Sequence, residues 1–302
     1  MDNFIEDVFT DSAGSRTYKV HVPRSSTRAM PLIVMLHGCT QNPDDFAAGT
    51  RMNALADRIS CVVVYPSQSE TANPAKCWNW FSSGDQLRDQ GEPAIIAGIT
   101  REVVQRYRVD ERRVFIVGLS AGASMAVILA ATYPDLYAAI GVHSGLPYRS
   151  ATNMWSAFTA MRNGAAALPN LGVIGIPIIV FHGERDPTVN PRNGQQIIAQ
   201  WLESRPDKAR SSVCALETGE SGGRAYSRTQ HRDERGSLFA EYWEIKDLGH
   251  AWSGGSAEGS YADPIGPDAS EEMLSFFLRR IGHARVGIID RLIRSLKPHG
   301  GI

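Results

Sequence analysis

The chain has 302 residues, 43% of them hydrophobic, enough for one large α/β domain or two small ones with a sizeable core. Lysine plus arginine number 31 against 32 for aspartate plus glutamate, a balance with no electrostatic footprint for nucleic acid or an anionic membrane. No apolar run approaches the ~20 residues of a membrane-spanning helix, and Cys39, Cys61, Cys77 and Cys214 form no CxxC pair of the zinc-knuckle or thioredoxin kind.

The N-terminus, "MDNFIEDVFTDSAGSR", is acidic and has no apolar h-region, so no signal peptide is read in it. Cytoplasmic residence and export after removal of a leader both stay open. Segments 4–9 and 16–22 flank "DSAGSR" and predict an antiparallel hairpin. "LIVML" (32–36), "CVVVY" (61–65), "VFIVG" (114–118), "AAIGV" (138–142) and "IPIIVF" (176–181) are short continuous apolar runs, the pattern of strands buried on both faces of a parallel sheet. Cys61 belongs to the second run and reads as a small buried hydrophobe.

Helices are predicted between these runs. In 92–107, Ile95, Ile96, Ile99, Val103, Val104 and Tyr107 share one face. A second helix runs from after Ser120 to about Tyr133, where Pro134 stops it. Residues 146–172 are a long connection, read as a small cap. Two runs within 224–246, around "HRDERGS", predict another hairpin that adds an edge strand. In "EEMLSFFLRRIG", Met273, Leu274, Phe277, Leu278 and Ile281 form a stripe ending at Gly282. Val286, Ile289, Ile293 and Leu296 give residues 283–302 the look of a helical tail that docks on the body or on a partner. The alternation predicts a doubly wound α/β sheet with helices on both faces, one domain over 1–282.

The stretch "VFIVGLSAGASM" places Ser120 in Gly-Leu-Ser-Ala-Gly between a strand and a helix. That is the setting of a nucleophile elbow, in which Gly118 and Gly122 avoid collision and Ser120 is lifted above the sheet edge. The Ala121 N–H at the helix start then suits an oxyanion. A serine hydroxyl needs a base, and the base an orienting carboxylate, in the chain order serine, acid, histidine. His250, in "DLGHAWSGG", lies in the loop between the last strand and the last helix and is the expected base. His143 and His182 directly follow strands and read as structural. His231 reads as solvated, and His283 and His299 come too late in the chain. Asp186, in "FHGERDPTVN", is the expected acid, ahead of its neighbour Glu184 and of Asp247. The second oxyanion donor is expected after "LIVML", from the N–H of Cys39 or of Thr40, with Gly38 turning the backbone inward.

With these residues in place, the chain resembles the polyhydroxybutyrate depolymerase family of esterases, related to feruloyl and acetylxylan esterases within the α/β-hydrolase superfamily. The segments that carry the likeness are "LHGCTQNPDDFA", "CWNWF", "GLSAGASMA", "HSGLPY", "FHGERDPTVNP" and "DLGHAWSGG", spread over residues 31–256. The resemblance implies an α/β-hydrolase fold and a Ser120–Asp186–His250 triad cleaving esters through an acyl-enzyme, without metal or cofactor. It implies a Cys39–Cys77 disulfide beside the site, as suits an extracellular or periplasmic enzyme. Trp78, Trp80 and Trp252 are expected to wall the pocket for an apolar acyl chain or aromatic ring. The family's secreted polymer-degrading members often carry a linker and a polymer-binding module, neither of which is seen here, so oligomers or small esters are the expected substrates. A feruloyl or acetylxylan esterase is the alternative. A serine peptidase or a non-catalytic binding protein are further rivals, and an oxidoreductase lacks a G-x-G-x-x-G after the first parallel strand.

Overall fold

A computed structural model describes residues 4–23, 29–172, 174–205, 212–232 and 236–281, without the side chains of 212–214, 280 and 281. Gly282, His283, His299 and the whole 283–302 tail lie outside the described residues.

The five apolar runs become adjacent parallel strands. β3 (Met30–Leu36) lies between β4 (Val62–Pro66) and β5 (Val109–Leu119), and β6 (Ala139–His143) and β7 (Ile178–Gly183) follow. The opening hairpin, β1 (Phe4–Asp11) and β2 (Gly14–His21), extends the sheet antiparallel beside β4. At the other end β10 (Leu238–Ile245) joins β7 in parallel. Outside it lie β9 (Arg224–Arg232) and β8 (Ser212–Ser221), both antiparallel. The order is β1-β2-β4-β3-β5-β6-β7-β10-β9-β8.

Side chains alternate between the two faces. Leu32, Val34, Val64, Val114 and Ile116 pack with α3 (Gly91–Arg106), α4 (Ala121–Thr132) and α6 (Arg192–Glu203). Ile33, Met35, Val63, Phe115 and Val117 pack with α1 (Pro43–Thr50), α2 (Met52–Ile59) and α7 (Ala269–Ile281). Two helical layers thus bury a sheet that is apolar on both sides. α4 is buried around its whole circumference through Ala130, because it crosses the middle of the sheet.

Two expectations need correction. The predicted second hairpin forms, as β9 and β10, but does not supply the edge strand: β8 lies outside β9, and β10 is an inner strand. His231, expected in solvent, is buried. β8 escaped notice because its described side chains are mostly exposed and polar. The 146–172 connection contains α5 (Met154–Asn163), capped by Asn153, whose side chain accepts from the Ser156 N–H at 3.0 Å. Its last turn meets the loop after β7, where the Asn190 N–H donates to the Met161 carbonyl at 2.7 Å.

The crossing of β5 and α4 over β3 is the tightest point of this layout. A β-carbon on Gly118 would overlap the Gly122 backbone, and one on Gly122 would overlap the Leu36 and His37 carbonyls. Gly122→Ala should therefore destabilise the fold by about 3 kcal/mol, through backbone that must move. An unchanged urea midpoint would contradict this packing.

Candidate active site

β3, β5, β7 and β10 all end at one edge of the sheet, the edge where open α/β sheets bind ligands. Ser120 leaves β5 with φ 57° and ψ −118°, a conformation that strains a residue with a β-carbon by about 1–3 kcal/mol. Its N–H donates to the His143 carbonyl at 2.9 Å and its carbonyl accepts from Ser124 at 3.0 Å. Among the described residues its hydroxyl has no hydrogen-bond partner. It caps α4, so the Ala121 N–H has no partner within the helix.

Asp186 stands on the turn after β7. Its Oδ1 accepts the Thr188 and Val189 N–H groups at 2.9 and 2.8 Å. Its Oδ2 lies 2.7 Å from His250 Nδ1 and 3.5 Å from His182 Nε2. Burial alone would raise this carboxyl, but the neighbouring His182 ring, the hydrogen bond from His250, the charge of His250 and the Val189 N–H outweigh it and hold the group well below the usual carboxylate range. An ionised carboxylate only accepts. The proton of neutral His250 is therefore on Nδ1, and Nε2 keeps its lone pair.

Glu184 and Asp247 are engaged elsewhere. Glu184 takes Lys246 at 2.6 Å and Asp247 takes Arg185 at 2.8 Å, both near the surface. Asp247 thus does not orient His250.

The loop carrying His250 is fastened from below. Leu248 O accepts the Arg185 N–H at 3.0 Å, and His143 Nε2 accepts the Ser253 N–H at 3.1 Å. His143 is fully buried and stacks on Trp252 with ring centroids 5.2 Å apart. One residue therefore holds Ser120 by its carbonyl and the loop carrying His250 by its ring. Sequence alone marked His143 as structural and did not reveal this link.

Of the Gly38, Cys39 and Thr40 amides after β3, one is left over. Gly38 N–H donates to Gln41 Oε1 at 2.9 Å and Thr40 N–H to the Ala75 carbonyl at 2.7 Å. The Thr40 alternative is thus already committed. Among the described residues the Cys39 N–H has no acceptor. Cys39 and Cys77 form a disulfide with α-carbons 4.2 Å apart across a separation of 38 residues. Chain-entropy arithmetic for such a loop gives about 4 kcal/mol. Glu92, which the sequence reading passed over, secures the "CWNWF" loop. Its carboxylate accepts Asn79 N–H at 2.7 Å, Asn79 Nδ2 at 2.9 Å and Gln68 Nε2.

The three tryptophans expose almost no surface. Trp78, Trp80 and Trp252 are 0%, 5% and 1% exposed. Trp78 Nε1 donates to the His37 carbonyl at 3.1 Å and Trp252 Nε1 to Ser270 Oγ at 3.1 Å. They support the loops from inside, since an indole on a short, tightly held loop gains more from burial than from exposure.

Two buried imidazoles give the site's surroundings a pH dependence. Burial, reinforced by the nearby His182 and His250 rings, pushes His143 down to about 3, and burial pushes His37 down to about 4. The unfolded chain takes up these protons near pH 6.5 and the folded chain does not. Their contribution is complete above pH 6.5 and is lost as pH falls towards 4 and 3, by up to about 1.4 kcal/mol per unit and ring. His143→Gln keeps an acceptor without the titration. Between pH 6.5 and 5 its unfolding free energy should fall by about 1.5 kcal/mol less than that of the unaltered protein. Identical pH slopes in urea unfolding would contradict this.

The family model described as "Esterase PHB depolymerase" matches residues 16–221, a span that holds Ser120 and Asp186 and stops short of His250. The chain is 33% identical over 259 residues to poly(3-hydroxyalkanoate) depolymerase C of Paucimonas lemoignei, covering 80% of this chain and 60% of that protein. It is 28% identical over 210 residues to the probable acetylxylan esterase A of Aspergillus fumigatus, covering 64% of this chain and 56% of the other. The chain thus spans somewhat over half the length of these relatives. Among solved structures, the acetyl xylan esterase from Aspergillus awamori superposes with a TM-score of 0.66 at 20% identity, over 78% of this chain and 89% of the other. The fold is that of the α/β-hydrolases.

Proposed function

The chain belongs to the Esterase PHB depolymerase family, and from that premise we propose that it is a serine carboxylesterase acting on hydroxyalkanoate oligomers or accessible polyester. The observation that carries the reading is the 2.7 Å hydrogen bond from His250 Nδ1 to a buried, ionised Asp186, at the sheet edge where Ser120 stands on its strained turn. Nε2 is thereby left as a base.

In this reading the Ser120 hydroxyl meets Nε2 as the ester binds, a contact that commonly tightens only in the substrate complex. Ser120 Oγ attacks the carbonyl carbon and its proton passes to His250. The Cys39 and Ala121 N–H groups receive the oxyanion. His250 then protonates the leaving alcohol, and an acyl group stays on Ser120. Water repeats the sequence and releases the acid. Asp186 holds the imidazole tautomer and stabilises its cation. The 146–172 segment acts as a cap beside the acid's loop, and the Cys39–Cys77 bond supports an exported enzyme.

A second reading, an acetylxylan or feruloyl esterase, draws support from the relative named acetylxylan esterase A. A kcat/KM panel of 3-hydroxybutyrate oligomers, acetylated xylan and feruloyl sugars separates the two.

Ser120→Ala should lower kcat for p-nitrophenyl butyrate by at least about 10⁴-fold and abolish labelling by a fluorophosphonate probe. Asp186→Asn should lower kcat by about 10⁴-fold with KM little changed, because the wrong tautomer then meets the serine. Turnover by purified Ser120→Ala above a few per cent would refute the assignment.

A further inference from the structure

With the indoles packed inside, the aromatic ring that does reach solvent beside the triad is Tyr261. It is 46% exposed and its ring stands edge-on to His250, centroids 6.4 Å apart. Its hydroxyl lies 3.4 Å from Thr40 Oγ1 on the loop that follows β3. The other exposed large apolar side chains of the described residues lie on β1, β8, α5 and the loops at Leu168 and Ile265, and none of them makes a ring contact with a triad residue.

Tyr261 is also held in a backbone state that disfavours it. Its φ is 51°, in the left-handed region where a β-carbon is strained. Neighbouring contacts force that state. The Tyr261 carbonyl accepts the Trp252 N–H at 2.7 Å, and Ala262 pairs with Trp252 in a short parallel bridge. Ser260 N–H donates to Asp45 at 2.7 Å, and the Ser260 carbonyl accepts Gln41 Nε2 at 2.9 Å. Ser256 N–H donates to the Gly49 carbonyl at 2.8 Å. Glycine would satisfy the same backbone without strain, yet a large aromatic occupies the position and aims its ring at the gap between base and oxyanion loop. Such a conformation persists only where the surroundings over-determine it.

We propose that Tyr261 is a specificity-determining residue whose ring forms the wall for the alcohol portion of the ester, favouring apolar and aromatic alcohols. The proposal rests on the Ser120–His250 ester-hydrolase reading. In that chemistry the leaving oxygen must reach His250 Nε2 to be protonated, while the carbonyl oxygen turns towards the Cys39 N–H. The alcohol carbon is one bond beyond the leaving oxygen. A ring that stands edge-on to His250, with its hydroxyl 3.4 Å from Thr40 Oγ1, is placed to border that carbon.

The test compares methyl butyrate with benzyl butyrate, which share one acyl-enzyme, so that differences in kcat/KM report acylation alone. Tyr261→Gly removes the ring and suits the left-handed backbone, and Tyr261→Asn, which also tolerates that backbone, guards against a folding defect in the first variant. In both, the benzyl-to-methyl ratio of kcat/KM should fall about tenfold, while Tyr261→Phe keeps it within about twofold. An unchanged ratio, whatever the absolute loss, overturns the proposal. So does a change confined to acyl preference along p-nitrophenyl acetate, butyrate and octanoate. Failure of the unaltered protein to hydrolyse either butyrate overturns the hydrolase reading and this assignment with it, a result distinct from an unchanged ratio.

Discussion

A buried carboxylate that must stay ionised constrains this whole edge of the molecule. Asp186 meets two backbone N–H groups on one oxygen and two imidazoles around the other. Leaving such a charge without donors would be severe in this setting, so the turn after β7 has little freedom. The loop carrying His250 must then approach closely enough to supply one of the donors. Gly183 permits that approach, because a side chain there would collide with the Leu248 and Gly249 carbonyls. The orientation of the imidazole follows from the electrostatics of its partner.

The Ser120 side of the site is tied to the His250 side by His143. Its carbonyl fixes the Ser120 N–H and its ring fixes the Ser253 N–H, so displacement of β6 would be felt at both ends. Burial keeps the ring neutral, and only a neutral ring can accept from Ser253. The loop carrying Cys39 is braced separately, by the Cys39–Cys77 bond and by Glu92 beneath the "CWNWF" loop. Three fastenings of different chemistry thus converge on one small region.

How much of this could be read from the chain depended on how local its causes are. β3 to β7 were legible because strands buried on both faces must be apolar at consecutive positions. Gly118, Ser120 and Gly122 were legible because the crowding that demands glycine arises within one strand, turn and helix. The pairing of Asp186 with His250 was anticipated from chain order. β8 was harder to read, since its short apolar start, Val213 to Leu216, gives way to polar residues and Leu216 is exposed, and the burial of His231 on the neighbouring β9 was not legible either. The burial of the tryptophans was not legible, because an indole near a site looks the same in sequence whether it faces in or out. Tyr261 was invisible because its backbone is set by Asp45, Gln41 and Gly49, over 200 residues earlier. The choice between the Cys39 and Thr40 amides turned on the Ala75 carbonyl, which only the folded loop brings near.

The account stands or falls on Ser120, His250 and the two amides acting on one carbonyl. A crystal structure of the protein after reaction with a small alkyl fluorophosphonate tests that most directly. The account predicts a phosphorus bonded to Ser120 Oγ, its free oxygen hydrogen-bonded to the Cys39 and Ala121 N–H groups, and His250 Nε2 facing the adduct with Nδ1 still on Asp186. A phosphonyl group on another residue, or one on Ser120 whose oxygen points away from both amides while the His250 ring turns elsewhere, would contradict it.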